Sequence, residues 1–268
     1  MGIRVTKFND NFLIAHGTVG YFNFRFNVFL YCVDGLLVDT GPRSLAKKTK
    51  PFLLAYSPEQ VVITHLHEDH CGLAFWINLV YPKVPVYVHP DRVGDARREA
   101  DLPLYRRIIW GKREPFRGEP YPAGSILTKR HSFEIIHVGG HSNDHIILYE
   151  PREGWLFVGD LFLTTRPIVL FHEEDANQTL MALNKMLSFD FSDLFCAHSG
   201  HHPNGRELIV RKKEYLESLQ AKIKELKARG YSIEEIDKIM FPKQPFVSRI
   251  SKGEWTSLNL IKTLDSGE

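Results

Sequence analysis

The amino-acid sequence predicts an α/β fold made of one domain. Short apolar runs rich in β-branched residues, typical of buried strands, are interspersed with longer segments whose apolar residues recur at helical spacing. Hydrophobic residues make up 43% of the chain and charged residues 25%, as in ordinary globular proteins. The 268 residues would be enough for two domains, but α/β folds of this size are often single.

The chain is expected to consist of two halves that both contain strands and helices, with an insert between them. Strands are expected at 27–31, 36–38, 61–63 and 84–88, and helices at 44–56 and 175–188. The stretch 20–26 is unusually aromatic and is expected to belong to a hairpin.

Two later regions are predicted to be mainly helical. Residues 91–125 lack strand character and are expected to form an insert, helical at first, broken at Pro103 and followed by a proline-rich loop. Residues 206–268 are expected to form a C-terminal helical extension with helices at 206–229 and 232–240. The second of these begins with a Ser-x-x-Glu capping box. The apolar tail after it is expected to dock onto the body or onto a second subunit.

The most informative motif follows the strand at 61–63. Residues 65–70 read His-Leu-His-Glu-Asp-His and place four metal-capable side chains, His65, His67, Asp69 and His70, within six positions. A turn after a rigid strand can aim all four into one small volume, whereas a helix cannot at these spacings. Imidazole and carboxylate groups are ligands that zinc prefers. The alternative is a polar loop that happens to be rich in histidine.

Three further metal-capable residues follow apolar runs later in the chain. His141 comes after two glycines, where the backbone can pack closely against a ligand. Asp160 ends the run 155–159, and His198 ends the run 194–197. If these segments meet at one edge, the chain supplies seven ligands, which is enough for two metal ions.

In this order, the motifs resemble the metallo-β-lactamase superfamily of hydrolases. The resemblance runs from about residue 27 to about residue 205, and Leu-Val-Asp-Thr-Gly at 37–41 is similar to an early strand of that family. It implies an αββα sandwich, classed as α/β or in some schemes α+β, with two mixed β-sheets face to face and helices outside. Fold alone does not settle the substrate.

The resemblance also implies a binuclear metal centre. Two divalent ions are expected, zinc first, with iron, manganese or cobalt as alternatives. One ion would be held by His65, His67 and His141, the other by Asp69, His70 and His198, and Asp160 would bridge them. Asp39 would not bind metal but would accept a hydrogen bond from a ligand imidazole.

The chemistry expected of such a centre is hydrolysis by a metal-bridging hydroxide, which forms near neutral pH because metal lowers the pKa of bound water. Asp69 and Asp160 would take part as catalytic ligands. His145 would either protonate a leaving group or orient the site, and the alternative is an ordinary polar residue at the start of a strand. The lactamases proper carry cysteine at position 160, so the aspartate here argues against antibiotic hydrolysis.

Candidate substrate-pocket residues come from three places. They are Tyr21, Phe22 and Phe24 in the aromatic hairpin, Tyr105 and Ile109 in the insert, and His172 in a loop. Strand packing, helix packing and a solvated loop are the respective alternatives. The arginines of the insert could attract an anionic substrate, but surface charge is the commoner explanation.

The substrate expected is a small carboxylic ester, lactone or thioester, with phosphotriesters and phosphodiesters as secondary substrates. The lactonase branch is favoured over glyoxalase II enzymes because the box here reads His-Leu-His rather than His-His-His. Three alternatives are a ribonuclease Z-type nuclease, a mononuclear iron sulfur dioxygenase, and a metal-retaining binding module without catalysis.

The composition limits the partners that are expected. The net charge of +2 is too small to indicate a nucleic-acid partner. No apolar run approaches the length of a membrane span, and the start of the chain lacks the features of a leader. The three cysteines suit the reducing cytoplasm. We therefore expect a cytoplasmic protein acting on a small molecule, with a homodimer left open.

Overall fold

The computed structural model describes residues 3–21, 24–243 and 245–266. The strands are β1 (Arg4–Asn9), β2 (Phe12–Tyr21), β3 (Phe24–Val33), β4 (Leu36–Val38), β5 (Gln60–Val62), β6 (Val86–Val88), β7 (Glu119–Pro120), β8 (Ser125–Leu127), β9 (Ser132–His137), β10 (Ile146–Glu150), β11 (Trp155–Gly159), β12 (Leu170–Phe171), β13 (Asp193–Cys196), β14 (Gly200–His202) and β15 (Trp255–Thr256). The helices are α1 (Ala46–Tyr56), α2 (Glu68–Cys71), α3 (Ala74–Val80), α4 (Val93–Ala96), α5 (Leu104–Ile109), α6 (Ala176–Leu187), α7 (Gly205–Ala228), α8 (Ile233–Met240), α9 (Phe246–Ile250) and α10 (Ser257–Asp265).

The strands form two large mixed sheets. The first has seven strands in chain order, β1 to β7, antiparallel from β1 to β4 and parallel from β4 to β7. The second has six strands in the order β14-β13-β11-β10-β9-β8, in which only β11 and β13 are parallel. A small sheet pairs β12 with β15. The prediction of two mixed sheets is confirmed.

Three apolar layers hold the sandwich together. Between the sheets, rings from both sides pack closely, among them Phe12, Tyr31, Phe157 and Phe195, with Phe157 and Phe195 stacked at 4.7 Å between centroids. Fully burying one such side chain contributes about 1.5–3 kcal/mol. Helices α1 and α3 cover the outer face of the first sheet. Helices α6, α7, α8 and α10 cover the second, so the αββα arrangement is confirmed.

The insert at 91–125 is less helical than the sequence indicated. It contains two short helices, α4 and α5, and it also supplies the edge strand β7 and the first residue of β8. The expectation that it lacks strands is therefore wrong at these positions, because a two-residue pairing with β6 leaves no alternation to recognise. Pro103 immediately precedes α5, where its fixed φ suits a helix start.

The C-terminal region is helical, as expected. The capping box of α8 forms between Ser232 and Glu235. The tail docks onto the body, since Leu260, Ile261 and Leu264 of α10 are buried against α6, α7 and α8. None of the helices in the described part of the chain combines the length and the hydropathy needed to cross a membrane.

Candidate metal centre

The metal-capable residues lie where strands of both sheets end at one side of the sandwich. In the first sheet, β4 leads to Asp39 and β5 leads to the 65–70 box; in the second, β11 leads to Asp160 and β13 to His198. Backbone hydrogen bonds join the sheets here, from Ile146 N–H to the Thr64 carbonyl at 2.9 Å and from Phe29 N–H to the Ala197 carbonyl at 2.8 Å. The strand ends are therefore held in a fixed relation.

The first ligand group is His65, His67 and His141, whose ring nitrogens converge. His67 Nδ1 lies 3.0 Å from His65 Nε2 and 3.0 Å from His141 Nε2. Nitrogens that face each other this closely need either a shared proton or a cation between them. Tetrahedral zinc with Zn–N bonds of about 2.0–2.1 Å separates its nitrogens by about 3.3 Å, so the donor set fits that ion.

The second ligand group is Asp69, His70, Asp160 and His198. Asp69 Oδ2 lies 3.1 Å from His198 Nε2, and Asp160 Oδ1 lies 3.3 Å from His70 Nε2. Within the described residues, His70 Nε2 and Asp160 Oδ1 are buried but make no hydrogen bond despite this proximity. Buried polar atoms without partners are costly, so this pair fits a metal ion that would bind both.

Asp160 lies between the two groups. Its Oδ2 atom is 3.3 Å from His198 Nε2 in the second group and 3.6 Å from His141 Nε2 in the first. One carboxylate therefore reaches both groups, which is the arrangement that a bridging ligand requires.

Asp39 supports the second group from behind. Its Oδ2 accepts a hydrogen bond from His70 Nδ1 at 2.7 Å, and its carboxylate also accepts from the Thr64 amide and hydroxyl. This geometry matches the role expected of it, because a carboxylate on Nδ1 leaves Nε2 free for metal. Thr64 Oγ1 in turn lies 3.1 Å from His65 Nδ1, so one network orients a ring in each group.

Two other ring partners were not anticipated from the sequence. Glu174 Oε1 accepts from His141 Nδ1 at 2.5 Å, and the backbone carbonyl of Asn27 accepts from His198 Nδ1 at 2.6 Å. Both direct the Nε2 atom of the ring towards the ligand groups. Glu174 lies in a loop with no pattern of its own, and a main-chain carbonyl carries no sequence signal, so neither could have been identified.

Burial and charge act in opposite directions on the ring nitrogens. Burial lowers the pKa of His65 well below its ordinary value, which favours the neutral ring that binds metal. For His70 and His198, burial also lowers the pKa, but the carboxylate of Asp160 and its acidic neighbours outweigh it and hold the pKa well above the ordinary value. The carboxylates of the second group therefore favour a positive charge beside them.

His145 lies behind the centre rather than at its surface. The ring is completely buried, and its Nε2 accepts a hydrogen bond from the Asp160 backbone N–H at 3.2 Å. Gly159 permits this approach, since a Cβ atom there would lie 2.6 Å from Nε2. The proton-donor alternative for His145 is not supported by this geometry, because the ring does not line the cavity that opens over the ligand groups. The orienting alternative fits.

A cavity of about 510 Å³ opens over both ligand groups, and we call it the large cavity. Of the expected pocket residues, Phe24, Tyr105 and Ile109 line it. Tyr21 is described only for its backbone, and Phe22 lies outside the described residues. His172 is exposed and does not line the cavity, so that prediction is wrong: the ring of the preceding residue, Phe171, does.

The remaining walls come from segments far apart in the chain. Besides the residues already named, the large cavity is lined by Phe26, Arg25, Arg106, Trp110, Leu163, Val169, Val247 and Trp255. Most are apolar or aromatic. Trp255 is brought there by the pairing of β15 with β12, a contact between distant segments that no local pattern indicates.

Buried polar contacts fix helix α5 in the wall. The Arg106 guanidinium makes two hydrogen bonds of 2.7 Å to the carboxylate of Glu68, a buried residue of α2 inside the metal-binding box. The Tyr105 hydroxyl donates to Glu254 at 2.5 Å, next to Trp255. Arg106 is thus paired with a buried carboxylate and is not simply a surface charge, one of the two alternatives that the sequence left open. It ties the wall to the metal-binding segment.

Comparison with known proteins agrees with this site. The family model described as "Metallo-beta-lactamase superfamily" matches residues 28–198. A hydroxyacylglutathione hydrolase from Legionella pneumophila (strain Paris) is 27% identical over 73% of this chain and 65% of its own length. The probable metallo-hydrolase YqjP from Bacillus subtilis is 24% identical over 51% of this chain and 53% of its own length. The chain therefore spans only about half to two thirds of these relatives.

Solved structures support the fold. A metallo-β-lactamase family protein from Thermus thermophilus superposes with a TM-score of 0.68 at 16% identity, covering 96% of this chain and 92% of that one. The matched family segment takes in all seven residues of the two ligand groups. This chain belongs to the metallo-β-lactamase superfamily.

Proposed function

We propose that the protein is a metal-dependent hydrolase of small ester-like molecules. The observation that carries the proposal is the pair of adjacent ligand groups, linked through Asp160, at the base of a largely apolar cavity. Two bound divalent ions would supply a nucleophile at neutral pH and polarise the electrophilic oxygen of the substrate. Zinc suits the nitrogen-rich first group best, and iron, manganese or cobalt are the alternatives.

The residues of this chain would position the ions and the substrate and would exclude water from the site. His65, His67 and His141 would hold one ion, and Asp69, His70 and His198 the other, with Asp160 shared. The hydrogen bonds from the imidazoles to Asp39 and Glu174 fix which ring nitrogen faces the ions. We assign His145 to orienting the backbone at Asp160 rather than to proton transfer.

The cavity walls support an uncharged, apolar group in the substrate. Aromatic rings of Trp110, Phe171 and Trp255 face the large cavity, and the cation in its wall, Arg106, is already paired with Glu68. Arg25 is exposed at the rim. We therefore propose carboxylic esters, thioesters and lactones as substrates, with phosphotriesters and phosphodiesters as slower ones.

Within that class, the relatives and the sequence motif favour different members. The Legionella relative is named for hydrolysis of a hydroxyacylglutathione thioester, which supports thioester cleavage. The His-Leu-His box at 65–67 supports lactones. A cytoplasmic location, a homodimer and the absence of nucleic-acid or membrane partners stay predictions.

A substrate panel tests this proposal. Aryl esters, lactones, neutral thioesters, a glutathione thioester and a phosphotriester would be assayed before chelation, after chelation, and after zinc is restored. We expect turnover of at least one carboxylic class that is lost with chelator and recovered with metal. Chelator-insensitive turnover, or no turnover of any class by metal-loaded protein, would contradict the proposal.

A further inference from the structure

A second, smaller cavity of about 200 Å³ adjoins the metal centre. It shares His141 and Asp160, together with the wall residues Leu163, Val169 and Trp255, with the large cavity. The two cavities therefore meet at the ligand groups. Beyond the shared residues, each cavity is lined by residues of its own. The small cavity has room for about six groups of water size, at about 30 Å³ each.

Lys212 of α7 lines the small cavity and is 7% exposed. Its Nζ atom donates one hydrogen bond, of 2.6 Å, to the carbonyl of Leu161, the residue after Asp160. An ammonium group has three donors. Within the described residues, no carboxylate oxygen lies within 4.0 Å of Lys212 Nζ. Two of its three donors therefore have no protein partner of opposite charge.

Glu174, an acidic residue of the cavity wall, forms no ion pair with this ammonium within 4.0 Å. Both carboxylate oxygens of Glu174 are engaged, Oε1 by His141 and Oε2 by the backbone N–H of Phe171 at 3.2 Å. A buried charge with one neutral partner is costly unless something else binds it. The rest of the lining is mostly apolar, with Ile168 and Leu216 among it, and also includes Arg166.

We propose that the small cavity is a second compartment of the active site that binds a carboxylate through Lys212. The inference rests on the proposed function for its role in turnover, but the binding itself does not require turnover. The carboxylate has two sources, which share one chemistry. It is either a free carboxylate carried on a short arm of the substrate or the short carboxylate that hydrolysis releases.

A different role for Lys212 predicts different kinetics. If the ammonium only held the Leu161 carbonyl, and through it the strand end at Asp160, its loss would lower kcat for all substrates alike. A carboxylate subsite instead sets the affinity for a free short carboxylate. If it binds a carboxylate of the substrate, its loss also changes the ratio of kcat/KM between a carboxylate-bearing substrate and its neutral analogue.

The test compares Lys212→Met with Lys213→Met in the metal-loaded protein. Methionine keeps the length of the buried side chain, and Lys213 is the neighbouring lysine, which pairs with Glu217 at 3.2 Å. Butyrate binding would be measured by calorimetry, and product inhibition by butyrate with an aryl butyrate as substrate. Aryl hemisuccinate and its methyl ester would supply the kcat/KM ratio.

We expect Lys212→Met to weaken butyrate binding about tenfold, and Lys213→Met to leave it unchanged. If Lys212→Met weakens only product inhibition by butyrate, the subsite binds the released acid. If it also lowers the ratio of kcat/KM for aryl hemisuccinate to kcat/KM for its methyl ester, the subsite binds a carboxylate of the substrate. Unchanged butyrate affinity in Lys212→Met overturns the proposal, whatever the change in kcat.

A second variant keeps the proposal testable if Lys212→Met does not fold. Ile168 is 46% exposed at the small cavity, so Ile168→Trp narrows the cavity without replacing a core residue. We expect weaker butyrate binding at unchanged metal content. If butyrate still binds as in the parent protein, the small cavity is not its site. Absence of turnover in every protein would reject the proposed function while the calorimetry still decides the subsite.

Discussion

The metal-binding floor and the walls of the large cavity are built in different ways. The floor consists of the two ligand groups, whose residues follow strands, lie in short loops beside them or, for Asp69 and His70, lie in the short helix α2. The walls come from the β2–β3 hairpin, from α5 and from the C-terminal region, held by contacts such as Tyr105 to Glu254. The floor thus depends on local geometry, and the walls on long-range packing.

This difference indicates which part of the site determines the reaction and which part determines the choice of substrate. The floor has little conformational freedom, because hydrogen bonds between the sheets hold the strand ends in place. The walls are short helices and loops, segments that tolerate substitution and commonly set specificity on a rigid scaffold. Among the contacts that cross between the two are the buried pair of Arg106 and Glu68 and the ring contact of Trp110 with His198. Changes in the floor should therefore affect reaction and metal content, and changes in the walls should affect substrate choice.

The largest effect is expected from Asp160→Ala in the floor. Loss of the shared carboxylate should remove at least one metal per chain and lower turnover on the order of 10³-fold or more. Metal content and kcat would be measured together, with the exposed Asp190→Ala as control. Retention of full metal content with normal turnover would contradict the bridging role.

The ion pair between floor and wall is tested by Arg106→Met. Removing one partner from a buried ion pair leaves the Glu68 carboxylate buried without its counter-charge, which costs about 3–5 kcal/mol. Urea unfolding would measure the loss, with the exposed neighbour Arg107→Met expected to stay within about 0.5 kcal/mol of the parent. Equal stabilities of the two variants would mean that the pair does not join wall and floor energetically.

An intermediate effect is expected from Glu174→Gln. The variant keeps the shape but weakens the hydrogen bond to His141 Nδ1, and such partners typically contribute about 10–100-fold to metal affinity. Competition with a chelator of known affinity would measure the change. Glu173→Gln is the comparison, because its exposed carboxylate lies 3.8 Å from His67 and should matter less. If the two variants bound metal alike, Glu174 would have no special role.

The smallest effect is expected from Trp255→Ala in the wall. Loss of the indole from the cavity wall should raise KM for bulky apolar esters several-fold. Metal content should stay at the parent value, because Trp255 makes no hydrogen bond to a ligand group in the described structure. Trp76→Ala on α3, equally half-buried but away from the cavity, provides the control. A matching rise in KM for both variants would indicate general loosening instead.

The same contrast explains what could be predicted from the sequence. The seven candidate ligand residues could be predicted because four lie in one compact box after a strand and three follow later strand-like segments, in an order that resembles a known family. The same resemblance indicated the position of Asp39. Glu174 was missed because its partner, His141, is 33 residues away and no pattern links them. His172 was chosen in place of Phe171, since the direction of a side chain in a two-residue strand depends on its pairing with β15.

The central claim is that this chain holds two metal ions, shares Asp160 between them and uses them for hydrolysis. Elemental analysis of metal per chain, on the same preparation that is assayed with esters and lactones, tests it most directly. About two metals per chain, lost together with activity on chelation, is the result we predict. One iron per chain without hydrolysis would contradict the claim and favour the mononuclear dioxygenase.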